Sequence, residues 1–93
     1  MERKVAGLDI HKDKIFCAVY DGKRHRKVKE FSTFASDIRE MGRYLREEGV
    51  KEVAMESTGI YWVPVWNVLE DIGFSLILVN PLAVKQLAGR KHP

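Results

Sequence analysis

The chain has 93 residues, of which 45% are hydrophobic and 31% are charged. This length fits one small domain spanning residues 1–93, and the composition excludes disordered, collagen-like and low-complexity classes. The single cysteine, Cys17, excludes an internal disulfide and a thiolate-rich zinc site, which favours a reducing, cytoplasmic compartment. No run approaches the roughly 20 apolar residues that a membrane-spanning helix needs.

The net charge of +3 hides a segregated distribution of charges. Cations without any acid lie between Asp21 and Glu30, and no acid follows Asp71. Two basic patches on an otherwise acidic chain favour a polyanionic partner, although solvation of a turn and a tail is the alternative explanation. The cations that we assign to nucleic-acid binding are Lys23, Arg24, Arg26, Lys27 and Lys29, followed by Lys85, Arg90 and Lys91.

The first third of the chain is predicted to form a three-stranded antiparallel meander. Residues 5–10 and 15–20 are rich in apolar, β-branched and aromatic side chains, and Asp21-Gly22 is a turn signal. Residues 26–33 alternate in polarity, as in a more exposed third strand. The first basic patch therefore lies at the second turn of the meander.

A helix and a fourth strand are predicted next. Apolar side chains recur at helical spacing through residues 34–45, while charged residues face away. Ser36 or Asp37 is expected to cap this helix, and Gly49 is expected to end it. Residues 50–55 then have the composition of a short strand.

The remaining chain alternates between helix and strand. A turn is predicted at 56–59, followed by a helix over 61–71 that ends at Gly73. Residues 74–79 form a near-continuous apolar run, as in a strand buried on both faces. A last helix is predicted over 80–87, where Asn-Pro provides the start signal.

The predicted order of elements is β-β-β-α-β-α-β-α. Right-handed crossovers place the fourth strand beside the first, which gives a mixed α/β sheet with strand order 3-2-1-4-5. This is the ribonuclease H-like arrangement, although several unrelated open mixed sheets begin in the same way.

Two acids are predicted to meet in this topology. Asp9 interrupts an apolar strand, where a buried carboxylate without a partner is costly. Glu56 lies at the carboxyl end of the fourth strand, next to Asp9. Two close carboxylates repel each other unless they share a proton or a cation, and oxygen ligands suit Mg²⁺ or Mn²⁺. The alternative is that Asp9 caps a turn and Glu56 is merely solvated.

The sequence around the acids favours the metal site. Residues 7–12 (Gly-Leu-Asp-Ile-His-Lys), 54–62 (Ala-Met-Glu-Ser-Thr-Gly-Ile-Tyr-Trp) and 79–81 (Val-Asn-Pro) closely resemble the N-terminal domain of DEDD-type insertion-sequence transposases, whose nuclease domain is RuvC-like. The resemblance runs from residue 5 to residue 91. Its Glu-Ser-Thr-Gly-x-Tyr block is specific, whereas Gly-x-Asp alone is weak.

The resemblance implies a metal-dependent transposase or recombinase that acts on DNA phosphodiesters. Asp9 and Glu56 would be its first two catalytic acids and ligands of Mg²⁺ or Mn²⁺. The other two acids of the family form an Asp-x-x-Asp pair after a basic stretch such as residues 90–92, and the chain ends at Pro93. We therefore expect a truncated domain that binds metal weakly and is inactive alone. The implied partners are DNA and an RNA encoded by the mobile element, with a homo-oligomer left open.

Two other functions remain open at this stage. A non-catalytic nucleic-acid-binding or dimerisation module fits the two missing acids. A phosphate-binding module of the actin and sugar-kinase type also opens with Gly-x-Asp, but the Gly-Thr expected after it is replaced by Ile-His-Lys at 10–12. Tyr61 and Trp62 fit either base stacking or core packing, whereas Trp66 and Cys17 are predicted to lie in the core.

Overall fold

The computed structural model describes residues 4–22 and 26–79. Within them the elements follow in the order β1 (Val5–Ile10), β2 (Lys14–Tyr20), β3 (Arg26–Ser32), α1 (Ala35–Glu47), β4 (Glu52–Ser57), α2 (Trp62–Ile72) and β5 (Ser75–Val79). The helix predicted over 80–87 lies outside the described residues. No helix in the described ranges is long and apolar enough to cross a membrane.

The five strands form one mixed sheet in the order β3-β2-β1-β4-β5. The β1–β2 and β2–β3 pairs are antiparallel, whereas β4 pairs with β1 and β5 pairs with β4 in parallel. The predicted strand order is therefore confirmed. It places the carboxyl ends of β1 and β4 at the same end of the sheet.

Both helices pack on one face of this sheet. Side chains of a strand alternate between the two faces, so every second residue of β1, β2 and β4 is buried. They form a single apolar cluster with residues of both helices, including Ile38, Met41 and Leu69. Cys17 is fully buried there, and this burial raises the pKa of its thiol to about 12. The predicted core placement of Cys17 is confirmed, and Trp66 packs against the same cluster.

The start of α1 differs from the prediction. The residue before the helix is Phe34, and neither Ser36 nor Asp37 caps the helix with its side chain. Both lie inside the first turn, because the helix begins at Ala35, only three residues after β3 ends. Asp37 instead accepts a hydrogen bond from the hydroxyl of Ser32 at 2.5 Å.

The ends of both helices agree with the prediction. The α1 helix ends just before Gly49, and α2 ends at Gly73. The Gly73 backbone has a φ of 115°, a left-handed conformation that favours glycine. Its N–H donates to the carbonyl oxygens of Leu69 and Glu70, which satisfies the last turn of the helix.

Two strands also differ from the prediction. The β4 strand runs from Glu52 to Ser57, so Glu56 lies inside the strand and not in a turn, because its pairing with β1 continues through Ser57. The β5 strand is not buried on both faces in the described structure. Its residues Ile77 and Val79 are 60% and 38% exposed, because both described helices cover the opposite face.

Candidate metal and nucleic-acid site

The two predicted acids lie side by side. Asp9 and Glu56 are direct partners in the parallel pairing of β1 and β4. Paired residues on neighbouring strands, about 4.8 Å apart, share one face of the sheet. This is the face opposite the helices, and both side chains are exposed there. The predicted juxtaposition of the two carboxylates on adjacent parallel strands is therefore confirmed.

Strand pairing arranges the open face in three rows that cross the sheet from β3 to β5. The acid row consists of Glu30, Phe16, Asp9, Glu56 and Val79. The small row consists of Val28, Ala18, Gly7, Ala54 and Ile77. The far row consists of Arg26, Tyr20, Val5, Glu52 and Ser75.

A groove of about 440 Å³ occupies this face. Its floor includes Gly7, Ala18 and Ala54, whose short or absent side chains leave a depression between the acid row and the far row. Asp9 and Glu56 line one side of it. The acid pair is therefore accessible from an open groove and is not enclosed in the core.

Asp9 has one partner among the described residues. The Nε2 atom of His11 lies 3.1 Å from Asp9 Oδ2, and the His11 ring meets Phe16 edge-on with centroids 5.8 Å apart. The Asp9 and His11 side chains are 56% and 43% exposed. A contact between two side chains this exposed contributes little to the stability of the fold.

The acid pair has the donor chemistry that a hard cation requires. No hydrogen bond or ion pair joins Glu56 to another residue in the described ranges. Carboxylate oxygens suit Mg²⁺ and Mn²⁺, and two of them on one face supply part of an octahedral set. The described residues contain no group of three or more His, Cys, Asp or Glu placed to hold a metal. The described structure therefore brings two carboxylates together without a complete set of metal ligands.

The first basic patch is divided between the two faces of β3. Lys27 Nζ lies 2.8 Å from Glu48 Oε2 on the helix-covered side, and this hydrogen bond raises the pKa of Lys27 and lowers that of Glu48. Lys29 Nζ lies 4.8 Å from the centre of the Tyr44 ring on the same side. Arg26 alone among these three lies on the open face, where it lines the groove.

The structure does not bring Arg26, Lys27 or Lys29 into contact with the acids. Arg26 pairs with Tyr20, which pairs with Val5, four residues before Asp9 on β1. At about 3.3 Å per residue, Arg26 is offset from Asp9 by some 13 Å along the strands, whereas Lys27 and Lys29 lie on the other face of the sheet. The remaining predicted nucleic-acid contacts, Lys23, Arg24, Lys85, Arg90 and Lys91, lie outside the described residues.

Two turns lie at the same end of the sheet as the acids, and the sequence left Tyr61 in one of them open between base stacking and core packing. The turn between β1 and β2 carries Lys12, whose backbone oxygen accepts a hydrogen bond from Thr33 Oγ1 at 3.1 Å. The turn between β4 and α2 carries Ile60 and Tyr61, which are both exposed. The signal that identifies these turns is their position, since each directly follows a strand that carries an acid.

Comparisons with known proteins agree with this architecture. RuvC from Thermus thermophilus is 23% identical, has a TM-score of 0.61, and matches over 97% of this chain and 70% of its own. A Ppx/GppA family member from Aquifex aeolicus is 14% identical, with a TM-score of 0.59 over 87% of this chain and 36% of its own. The chain thus spans just over a third of the Aquifex protein. Both likenesses concern the fold, and the first confirms the ribonuclease H-like class.

The sequence itself identifies the family. No curated protein is detectably similar to the chain. A family described as a transposase, of the DEDD class and the IS110 type, matches residues 6–93. This match covers both acids and nearly the whole chain. The chain therefore belongs to the DEDD transposase family of the IS110 type.

Proposed function

We propose that residues 1–93 form one part of the catalytic domain of a DNA transposase, in which Asp9 and Glu56 are catalytic ligands of Mg²⁺ or Mn²⁺. The observation that carries this proposal is their direct pairing on β1 and β4, on the open face of the sheet. The family pattern adds an RNA encoded by the mobile element as a second nucleic-acid partner. We expect the protein to act in the cytoplasm.

The cation would supply charge neutralisation at a phosphodiester and activation of the attacking oxygen. The chain's own residues hold the two carboxylates in register and orient one of them through His11. The small row leaves open space beside the pair. Two carboxylates supply few of the about six oxygen ligands that Mg²⁺ takes, so we expect weak binding by this chain.

Thermal unfolding with and without divalent cations tests the proposal. With a dissociation constant of about 1 mM, 10 mM Mn²⁺ stabilises the fold by about 1.4 kcal/mol, which raises the melting temperature by several degrees. Asp9→Asn and Glu56→Gln should each remove this increase.

Glu30→Gln provides a matched control. Glu30 lies in the same acid row as Asp9, two strands away, so the substitution makes the same change in charge without touching the pair. The Glu30→Gln protein should keep the full increase in melting temperature. An increase that persists in both Asp9→Asn and Glu56→Gln contradicts the metal assignment.

A non-catalytic nucleic-acid-binding module is the second candidate. Residues 4–22 and 26–79 contain no group of three or more His, Cys, Asp or Glu side chains placed to hold a metal, which favours this candidate. It requires nucleic-acid binding that is independent of divalent cations and is unchanged in Asp9→Asn and Glu56→Gln. The same variants therefore separate the two functions.

A further inference from the structure

The turn between β4 and α2 exposes large apolar side chains at the same end of the sheet as the acid pair. Ile60 is 76% exposed and Tyr61 is 39% exposed. They follow Glu56 by four and five positions, at the carboxyl end of β4. Single exposed apolar residues are common on protein surfaces, but these two are consecutive and follow the strand that pairs Glu56 with Asp9.

Local contacts hold this turn in place. The Val63 N–H donates to the Ile60 carbonyl oxygen at 3.1 Å, which fixes the start of α2. Trp62 packs against the core and meets Trp66 edge-on, with ring centroids 5.8 Å apart. Because Trp62 anchors the turn inward, Ile60 and Tyr61 stay on the outside.

The turn on the other side of Asp9 has complementary chemistry. Lys12, in the turn between β1 and β2, is exposed and forms no ion pair with another described residue. The hydrogen bond from Thr33 Oγ1 to the Lys12 carbonyl oxygen ties its turn to the end of β3. A strand lying across this end of the sheet therefore meets a turn that carries a cationic side chain on the β1 side of the acid pair and a turn that carries exposed apolar side chains on the β4 side.

A nucleic-acid strand has a group that fits each of these turns, an anionic phosphate for the cation and a flat apolar base for the apolar side chains. We propose that Ile60 and Tyr61 contact the face of an unstacked nucleobase next to the phosphodiester at the acid pair, while Lys12 binds a neighbouring phosphate. This inference rests on the proposed function and adds the form of the substrate. Base faces are accessible only where the strand is single or locally unpaired, so the turn selects such a segment over an intact duplex.

Titration of the 93-residue chain with a single-stranded DNA 20-mer containing 2-aminopurine tests the proposal. Stacking contacts are worth about 5- to 150-fold in affinity per base. The Ile60→Ala/Tyr61→Ala double variant should therefore bind the single strand at least fivefold more weakly and lose the change in 2-aminopurine emission. Tryptophan emission, to which both Trp62 and Trp66 contribute, should respond to the single strand in the wild type and not in the variant.

The Ile60→Leu/Tyr61→Phe double variant is the matched control, because it keeps two exposed apolar side chains at the same turn and changes neither the charge nor the acid pair. It should bind the single strand with wild-type affinity. Undiminished single-strand affinity in the double variant, or wild-type preference for a duplex of equal length, overturns the proposal. The Mn²⁺-induced rise in melting temperature, measured on the same samples, reports separately on the proposed function. Its persistence in the double variant also shows that the fold is intact.

Discussion

At the scale of single residues, the acid pair has no fixed cation beside it in its own row. Its neighbours across the strands are Phe16 on β2 and Val79 on β5. Lys14 is paired with Glu30 at 3.7 Å on the far side of Phe16. The repulsion between two neighbouring carboxylates is therefore not relieved by a neighbouring ammonium or guanidinium of the described chain. An exchangeable cation is the partner that this arrangement leaves room for.

Glu48 allows a prediction about stability in acid. Its hydrogen bond with Lys27 lowers its pKa below the ordinary value of 4.5, so the folded state holds the Glu48 proton less tightly than the unfolded state does. The stabilisation is present above the unfolded pKa and is lost as the pH falls through the folded one. Glu48→Gln should thus reduce the free energy of unfolding at pH 7 and reduce it less at pH 3.

Urea unfolding of both proteins at the two pH values measures this difference. Glu47→Gln is the control, because Glu47 is the exposed neighbour of Glu48 and has no partner among the described residues. It should change stability little at either pH. An equal loss at pH 3 and pH 7 in Glu48→Gln is incompatible with an effect of the ion pair.

At the scale of elements, the two helices approach closely where α1 carries Gly42. A Cβ atom at this position would lie 2.5 Å from Ile72 Cδ1 and 3.4 Å from Leu69 Cδ2, both on α2. Gly42→Val should therefore lower the free energy of unfolding by about 1–3 kcal/mol, since a branched side chain forces the helices apart. Gly42→Ala should cost less, because the end of Ile72 can move and alanine favours helix by about 1 kcal/mol. Urea unfolding distinguishes them, and equal stability of Gly42→Val and wild type contradicts this packing.

The sequence predicted the strand order because the switch from alternating to helical periodicity is clear, but it misplaced β4. Val50 suggested the start of a strand, yet it is buried beneath the end of α1, where its N–H donates to the Leu45 carbonyl oxygen. Glu56 and Ser57 suggested a turn, yet their pairing with β1 keeps them extended. Local composition cannot reveal pairing between segments more than 40 residues apart.

The same limit applied to the candidate site. The acid pair could be predicted because Asp9 is out of place in an apolar strand and the topology determines its neighbour. The hydrogen bond between Lys27 and Glu48 could not be predicted, because Glu48 is 21 residues away on another element. The sequence therefore showed that cations cluster in this segment, but it could not show which of them lie on each face of β3.

At the scale of the whole molecule, the two faces of the sheet differ in what covers them. One face is packed against α1 and α2, and the other carries the acid pair and the groove in the described structure. Cations on the packed side already have partners in Glu48 and Tyr44. A phosphodiester strand at the acid pair would therefore interact with cations of the open face and not with all members of the first basic patch.

Arg26 and Lys27 test this division, since they are neighbours in sequence and carry the same charge. Arg26 lines the groove, whereas the Lys27 ammonium is bound to Glu48 at 2.8 Å. Removing one cation that touches a phosphate flattens the plot of log affinity against log salt by about 0.7–0.9. Arg26→Ala should therefore reduce the slope for DNA by close to this amount, and Lys27→Ala should leave it nearly unchanged despite the identical change in charge. Equal reductions in both variants would mean that DNA responds to net charge alone, and a reduction confined to Lys27→Ala would place the strand on the helix-covered side.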